Sequence, residues 1–233
     1  MIIKDIFPGD NESLSPEIRE MLSEVMIPIS FAVRNSTEPV IWALEPLLSE
    51  AEKLEESIKS NFSDFENTLA KIERSAADYA ETRGYTLSEE DTGISHVFMA
   101  KNGIKPISEL PVLLSEENYD EDSAFDFYYD GIIAYGIVKD GIVISAASTN
   151  PEEQDEMNPF HGCTEIGVET MANHRGNGYA AMCLSSLAAH LEAQGEKIIY
   201  VCAENNLPSI RTAEKSDFFK EGIMYFCVCR SKD

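Results

Sequence analysis

The chain has 233 residues, of which 43% are hydrophobic and 26% charged, a balance that suits one large or two small globular domains. Its formal net charge of −24 argues against nucleic acid as a partner, because phosphate binding needs a basic footprint. It is compatible with a cationic substrate such as an amine, and equally with a generally acidic surface. No apolar run reaches the roughly 18 residues of a membrane span, so no membrane partner is expected. The first residues lack a secretory pattern, and a cytoplasmic protein is expected.

All five cysteines fall between Cys163 and Cys229, and none has Cys-x-x-Cys spacing. They read as buried, reduced thiols, with a cysteine nucleophile as the lesser alternative. No metal site is expected.

The first hundred residues read as mostly helical. Ser15-Pro16-Glu17 is a helix start, followed by a stripe of Ile18, Met21, Leu22 and Val25 up to Pro28. A second element begins at 36–39 and contains Trp42, Leu44, Leu47 and Leu48, with Pro46 kinking or dividing it. Ser63-x-x-Glu66 is a capping box, and Phe65, Leu69, Ile72, Ala76 and Tyr79 form one face of the helix that follows, up to Gly84. A strand is predicted over 94–100, and the acids Glu116, Glu117, Asp120, Glu121 and Asp122 read as a solvated linker. The expected organisation is a mainly helical region over 1–115 and a second domain over 120–233. The helical region is read as a substrate cap, a homodimer surface or packing.

Strand material is predicted over 125–129 and 132–138. Lys139-Asp140-Gly141 is a tight turn into a partner strand over 142–148. The acid-rich loop over 150–161 reads as a hairpin loop near the substrate side. Thr164 to Ala180 then reads as a strand over 164–170, a turn over 171–175 and a helix from about Gly176. The helix carries Ala180, Cys183, Leu184, Leu187, Ala188 and Leu191 on one side and stops at Gly195, a left-handed cap.

The turn holds the most specific chemistry in the chain. Arg175, Gly176, Asn177 and Gly178 stand where the first amides of a helix lack partners, and such an end attracts anions. Glycines let a phosphate approach the backbone, and His174 and Arg175 add cationic character. A pyrophosphate fits this pattern in two ways. Gly176, Gly178 and Ala181 match Gly-x-Gly-x-x-Gly/Ala, but five residues separate strand from glycine, and Glu196 stands before the next strand rather than at its end. The second reading is acyl-coenzyme A.

Arg175-Gly176-Asn177-Gly178-Tyr179-Ala180 after a hydrophobic strand resembles the central motif of the GNAT superfamily of N-acetyltransferases. A second motif of that family, Asn-x-x-Ser/Ala followed by a short helix and Gly-Phe, is similar to Asn206, Ser209 and Phe218, with Asp217 in place of the glycine. The resemblance covers about residues 125–230. It implies an α+β fold with a central mixed, mostly antiparallel sheet flanked by helices, the N-terminal region being largely helical.

It further implies an acetyl-CoA-dependent transfer to a primary amine of a small molecule or peptide. By position, Val168, Glu169 and Thr170 would pair with the pantetheine arm. Arg175, Gly176, Asn177, Gly178, Tyr179 and Ala180 would cradle the pyrophosphate, with Asn206 and Ser209 near the pantetheine or thioester. Glu165 occupies the register of the family's base, and Glu169 is a second candidate on the same face. The usual acid, a tyrosine seven residues after the motif asparagine, is Ala213 here. Tyr200 and Tyr225 are substitutes without sequence support. The missing acid keeps open a catalytically inactive acyl-CoA-binding module.

Overall fold

A computed structural model of the chain describes residues 1–5, 7, 15, 24–35, 37–60, 65–115, 132–150 and 156–232. Its contacts define two units, one of Met1–Ser95, Met157–Pro159 and Gly222–Asp233, the other of His96–Glu156 and Phe160–Glu221. The expected division near 115–120 does not coincide with either limit.

The first unit holds strands β1 (Ile2–Asp5), β2 (Val25–Met26), β3 (Ile29–Arg34) and β4 (Val40–Leu44), then helices α1 (Leu48–Lys59) and α2 (Phe65–Thr82) and strand β5 (Tyr85–Leu87). Strand β1 pairs parallel with β4, and β4 pairs antiparallel with β3. The largely helical reading is therefore corrected here. The element expected from 36 onward is strand β4, and Val25, assigned to a helical stripe, lies in β2. The physical reason is that a short apolar run has no decisive period. Ile29-Ser-Phe-Ala-Val-Arg34 and Val40-Ile-Trp-Ala-Leu44 are rich in β-branched and aromatic residues, each preceded by a proline. Sheet pairing then buries both faces of β4, leaving Trp42 half-buried. Pro46 sits in a 3-10 turn over Glu45–Leu47 that leads into α1 instead of kinking a helix.

Helix α2 keeps the predicted face: Phe65, Leu69, Ile72 and Ala76 are buried, and Tyr79 packs at the edge of the same core. Ser63 of the expected capping box, residues 16–23 of the first expected helix, the acidic linker, the strand over 125–129 and residues 151–155 lie outside the described residues. Phe31 anchors this core, stacked on Tyr225 at 5.4 Å between ring centroids and edge-on to Phe65 at 5.9 Å.

The second unit takes most of β6 (Gly93–Ala100), then β7 (Val112–Leu113), β8 (Ala134–Lys139), β9 (Ile142–Thr149), β10 (Cys163–Thr170), α3 (Tyr179–Ala193), β11 (Lys197–Ala203), α4 (Leu207–Lys215) and the start of β12 (Phe218–Phe226). The rest of β12, which pairs with β3, and β13 (Cys229–Ser231) belong to the first unit. Strands of the second unit lie in the order β6-β11-β10-β9-β8-β7. Parallel pairing between β10 and β11 sits among the antiparallel pairs β10/β9, β9/β8 and β8/β7. The result is the expected α+β architecture with a mixed, mostly antiparallel sheet flanked by helices.

The β8–β9 hairpin turns at Asp140 and Gly141, both at positive φ (53° and 85°), the pairing that matches strand twist in a two-residue turn. Helix α3 is buried more widely than one stripe. Cys183, Leu184, Leu187, Ala188 and Leu191 are fully covered against Ile166, Ala147 and Ile198, and Ser185 and Ser186 are buried too. Ser185 is satisfied by donating to Met182 O at 3.0 Å and accepting from Ile107 N at 3.2 Å.

Candidate functional site

Strand β10 has two halves with different neighbours. Residues Cys163, Thr164 and Glu165 pair with Lys197, Ile198 and Ile199 of β11. From Ile166 to Thr170 the recorded partners are Thr149 back to Ser145 of β9. The two parallel strands thus part after Glu165.

The direction of the backbone groups follows from three hydrogen bonds. Glu165 O accepts from Asn150 N at 2.8 Å, and Met171 N donates to Ile144 O at 3.0 Å. Glu169 O accepts from Ser145 Oγ at 3.0 Å. Residues 165, 169 and 171 thus face β9. Because successive strand residues alternate, Ile166, Val168 and Thr170 direct their N–H and C=O groups to the opposite edge, where β11 has diverged. Thr170 O there accepts from Arg175 Nε at 3.0 Å.

The side chains alternate as well. Ile166 is buried and Val168 packs at the margin of the core under α3. Glu165, Gly167 and Glu169 therefore share the other face, where Glu165 is half-buried and Glu169 exposed. The two carboxylates expected on one face are on one face. Glu165 stands at the parting point and Glu169 one step before the end of the strand.

After β10 the chain makes a 3-10 turn over Ala172–His174, and Arg175 is extended. Gly176 and Gly178 both take left-handed conformations (φ 81° and 79°), and a Cβ on either would meet open space. Gly178 is the N-cap of α3 and no side chain caps the helix. The first amides of α3 thus face outward at an exposed, glycine-lined end. Helix α3 begins at Tyr179 rather than near Gly176, because Gly176 and Gly178 are spent on the turn. Asn177 Nδ2 donates to His174 O at 3.0 Å and holds that turn closed. Its side chain thus serves the loop.

Asn206 caps α4 by accepting from Ser209 N at 3.2 Å, and Pro208 occupies the first turn. Ser209 also bonds the hydroxyl of Tyr200 on β11, a group whose pKa burial raises and this bond partly restores. Tyr225 is differently committed: its hydroxyl donates to Glu73 Oε1 at 3.1 Å in the first unit's core. Ala213, in the position of the absent acid, is fully buried in the second unit's core. Asp217 takes φ 59°, the left-handed position where the motif has glycine, and its carboxylate accepts from Lys101 Nζ at 2.9 Å.

Sequence reasoning missed the fastening of the open half of β10. Ser145 is fully buried, bonds Glu169 O, and shares a 2.7 Å hydrogen bond with Thr170 Oγ1, its cross-strand partner. A serine inside an apolar strand was the available signal, but its partner was not readable without the register. Cys183 Sγ also donates to Ser145 O, and burial pushes the Cys183 thiol up to about 11. That thiol is a structural group. Among the described residues no cluster of three or more His, Cys, Asp or Glu side chains could hold a metal ion, and no helix is long and apolar enough to cross a membrane.

Comparison with known proteins defines the class. Residues 104–218 match the model of the Acetyltransferase (GNAT) family. That match gives residues 104–218 the GNAT-superfamily acetyltransferase fold. Among solved structures it is similar to a GNAT-family acetyltransferase from Novosphingobium aromaticivorans, with 18% identity and a TM-score of 0.48 over 64% of this chain and 69% of that one. A GNAT-family acetyltransferase from Colwellia psychrerythraea is 12% identical, with a TM-score of 0.44 over 85% of this chain and 81% of that one. A GCN5-related N-acetyltransferase-like protein from Streptococcus suis is 18% identical, with a TM-score of 0.40 over 66% and 68%. No curated protein matches the chain.

Proposed function

We propose that the chain is an acetyl-CoA-dependent N-acetyltransferase acting on a primary amine of a small molecule or peptide. The observation that supports this most is one strand used twice. Beside β11 it opens after Glu165, and at its end it delivers an uncapped helix start lined by Gly176 and Gly178. An extended arm with a pyrophosphate at one end needs both features, a line of backbone partners and an amide-rich turn. The residues present fit that group, since a Cβ-free approach to the first amides of α3 is open.

In this reading the N–H and C=O of Val168 bind the pantetheine arm, flanked by Glu169 and Thr170. Arg175, Gly176, Asn177, Gly178, Tyr179 and Ala180 hold the pyrophosphate, and Asn206 with Ser209 borders the thioester end. Bound acetyl-CoA supplies an activated acyl carbon and a thiolate leaving group. Glu165 or Glu169 takes a proton from the acceptor ammonium, and the free amine so formed attacks the acyl carbon; the C–N bond forms as the C–S bond breaks, and the N–H proton then shed passes to solvent. Two carboxylates on one face also favour a cationic acceptor. Tyr200 does not require a role in this scheme; water can protonate the thiolate.

The second reading, an acyl-CoA-binding module without turnover, is favoured by Ala213 standing buried where the family's acid would be. Calorimetric titration of CoA into the wild-type chain and Gly178→Trp, alongside thiol release from acetyl-CoA over a panel of amines, separates the two. Binding that Gly178→Trp abolishes, with turnover on at least one amine, is the expected result. Binding without turnover supports the module, and absence of binding in the wild type refutes both.

A further inference from the structure

The first unit contains a groove lined by none of the residues placed in the proposed reaction. It runs along the seam between α1 and α2 and encloses about 470 Å³. The inward faces of both helices are apolar, with Ala51, Leu54 and Ile58 on α1 and Leu69, Ile72 and Ala76 on α2. The groove reaches the apolar face at Ile72 and is otherwise lined by Glu50, Lys53, Glu56 and Ser57 on α1, Ser60 just after it, and Thr68, Lys71 and Ser75 on α2.

Ser57 singles this groove out. Among the described residues its Oγ is the one buried side-chain polar atom without a hydrogen-bond partner, and the residue is only 9% exposed. A buried hydroxyl left unpaired costs on the order of 1–3 kcal/mol, so such groups are normally completed by a partner. Ser60 and Ser75 have instead turned their hydroxyls to their own helices, at Ser57 O and Lys71 O. Two carboxylates, Glu50 and Glu56, and two ammonium groups, Lys53 and Lys71, surround this opening. Lys53 Nζ lies 3.5 Å from Glu50 Oε1. The Ser49 hydroxyl, and secondarily Lys53, hold the Glu50 carboxyl below its usual range, so it stays charged. The lining is thus balanced in sign on a chain of net charge −24.

We propose that this groove binds a small zwitterion, a free α-amino acid or a dipeptide, with its carboxylate toward Lys71 and Lys53, its ammonium toward Glu56 and Glu50, and Ser57 completing a hydrogen bond to it. The volume accommodates a molecule of that size, and neither a simple anion nor a simple cation satisfies both charge pairs. The site is separate from the acetyl-transfer reading and does not depend on it.

The test is calorimetry on the full chain with glycine, L-glutamine and glycylglycine. Glycylglycine methyl ester and N-acetylglycine serve as singly charged controls. A zwitterion should bind at least tenfold more tightly than either control. Lys71→Glu should weaken it at least tenfold, and Ser57→Val should weaken it without lowering Tm. Zwitterion binding at the proposed acceptor face instead would persist in Lys71→Glu and fall in Glu165→Gln. No heat from any zwitterion at millimolar concentration, or affinities unchanged in both Lys71→Glu and Ser57→Val, overturns the proposal.

Discussion

Arg175 Nε donates to the main-chain oxygen of Thr170 at 3.0 Å, tying the glycine turn to the end of the open strand. In the proposed function Arg175 also adds charge to the anion cradle, so one residue would both attract the pyrophosphate and fix the turn relative to β10. A lysine cannot reproduce both, since it lacks the planar guanidinium fork. Arg175→Lys is expected to weaken CoA binding by about tenfold, and Arg175→Ala by more, on the scale of roughly 1.5–3 kcal/mol for a charge-assisted hydrogen bond. Calorimetry at two salt concentrations checks this. An Arg175→Lys affinity equal to wild type would leave the arginine a role of charge alone.

The two carboxylates on the open face are separable by kinetics. Glu165 stands at the parting of β10 and β11, and Glu169 lies further along the strand. Glu165→Gln is expected to lower kcat at least tenfold and to flatten the acidic limb of the pH–rate profile, with CoA affinity unchanged. Glu169→Gln should raise the acceptor KM and leave the shape of the profile intact. The reverse pattern would move the base to Glu169.

Asn206 combines a structural with a proposed binding duty, and substitution can divide them. Its side chain accepts from Ser209 N, so Asn206→Ala should cost about 1 kcal/mol of stability, read from urea unfolding. Asn206→Asp retains a capping oxygen and should restore that loss. A raised KM for acetyl-CoA in both variants would show that the amide itself meets the cofactor. A normal KM in the aspartate variant would reduce Asn206 to a cap.

Stability should fall in alkaline solution for an identifiable reason. Burial pushes the thiols of Cys183 and Cys202 up to about 11, each from an ordinary value of 9.0. The folded state therefore holds these protons more tightly than the unfolded chain does. Their contribution is complete below pH 9 and is lost as pH rises toward 11. Denaturant unfolding between pH 8 and pH 11 should show this decline, and Cys183→Ala with Cys202→Ala should make it shallower. An equal slope in the double variant would assign the decline to other groups.

Local chemistry was readable wherever a turn or cap imposed it. Lys139-Asp140-Gly141 specified a hairpin, Gly195 a left-handed helix end, and Arg175-Gly176-Asn177-Gly178 a helix start suited to an anion. Each depends on backbone angles that few residue types adopt, and Asp140, Gly141, Gly176, Gly178 and Gly195 all take positive φ. The alternation of Glu165 and Glu169 on one face also follows from strand geometry alone. Short apolar runs behaved differently. Residues 40–44 and 29–34 form strands because β1, β3, β4 and β12 complete one another's hydrogen bonds, and no period within five or six residues announces that pairing.

The amino-acid sequence by itself determined the phosphate-type turn, the helix behind it, the strand before it and the absence of a tyrosine at Ala213, since all of these are properties of residues close together along the chain. Only the tertiary structure decided that β10 leaves β11 after Glu165, that Ser145 fastens Thr170, and that Ser57, beside a charged groove, keeps a buried hydroxyl unpaired. Those features arise from register and packing between segments far apart in sequence, where hydrogen-bond satisfaction is settled by partners that no local pattern names.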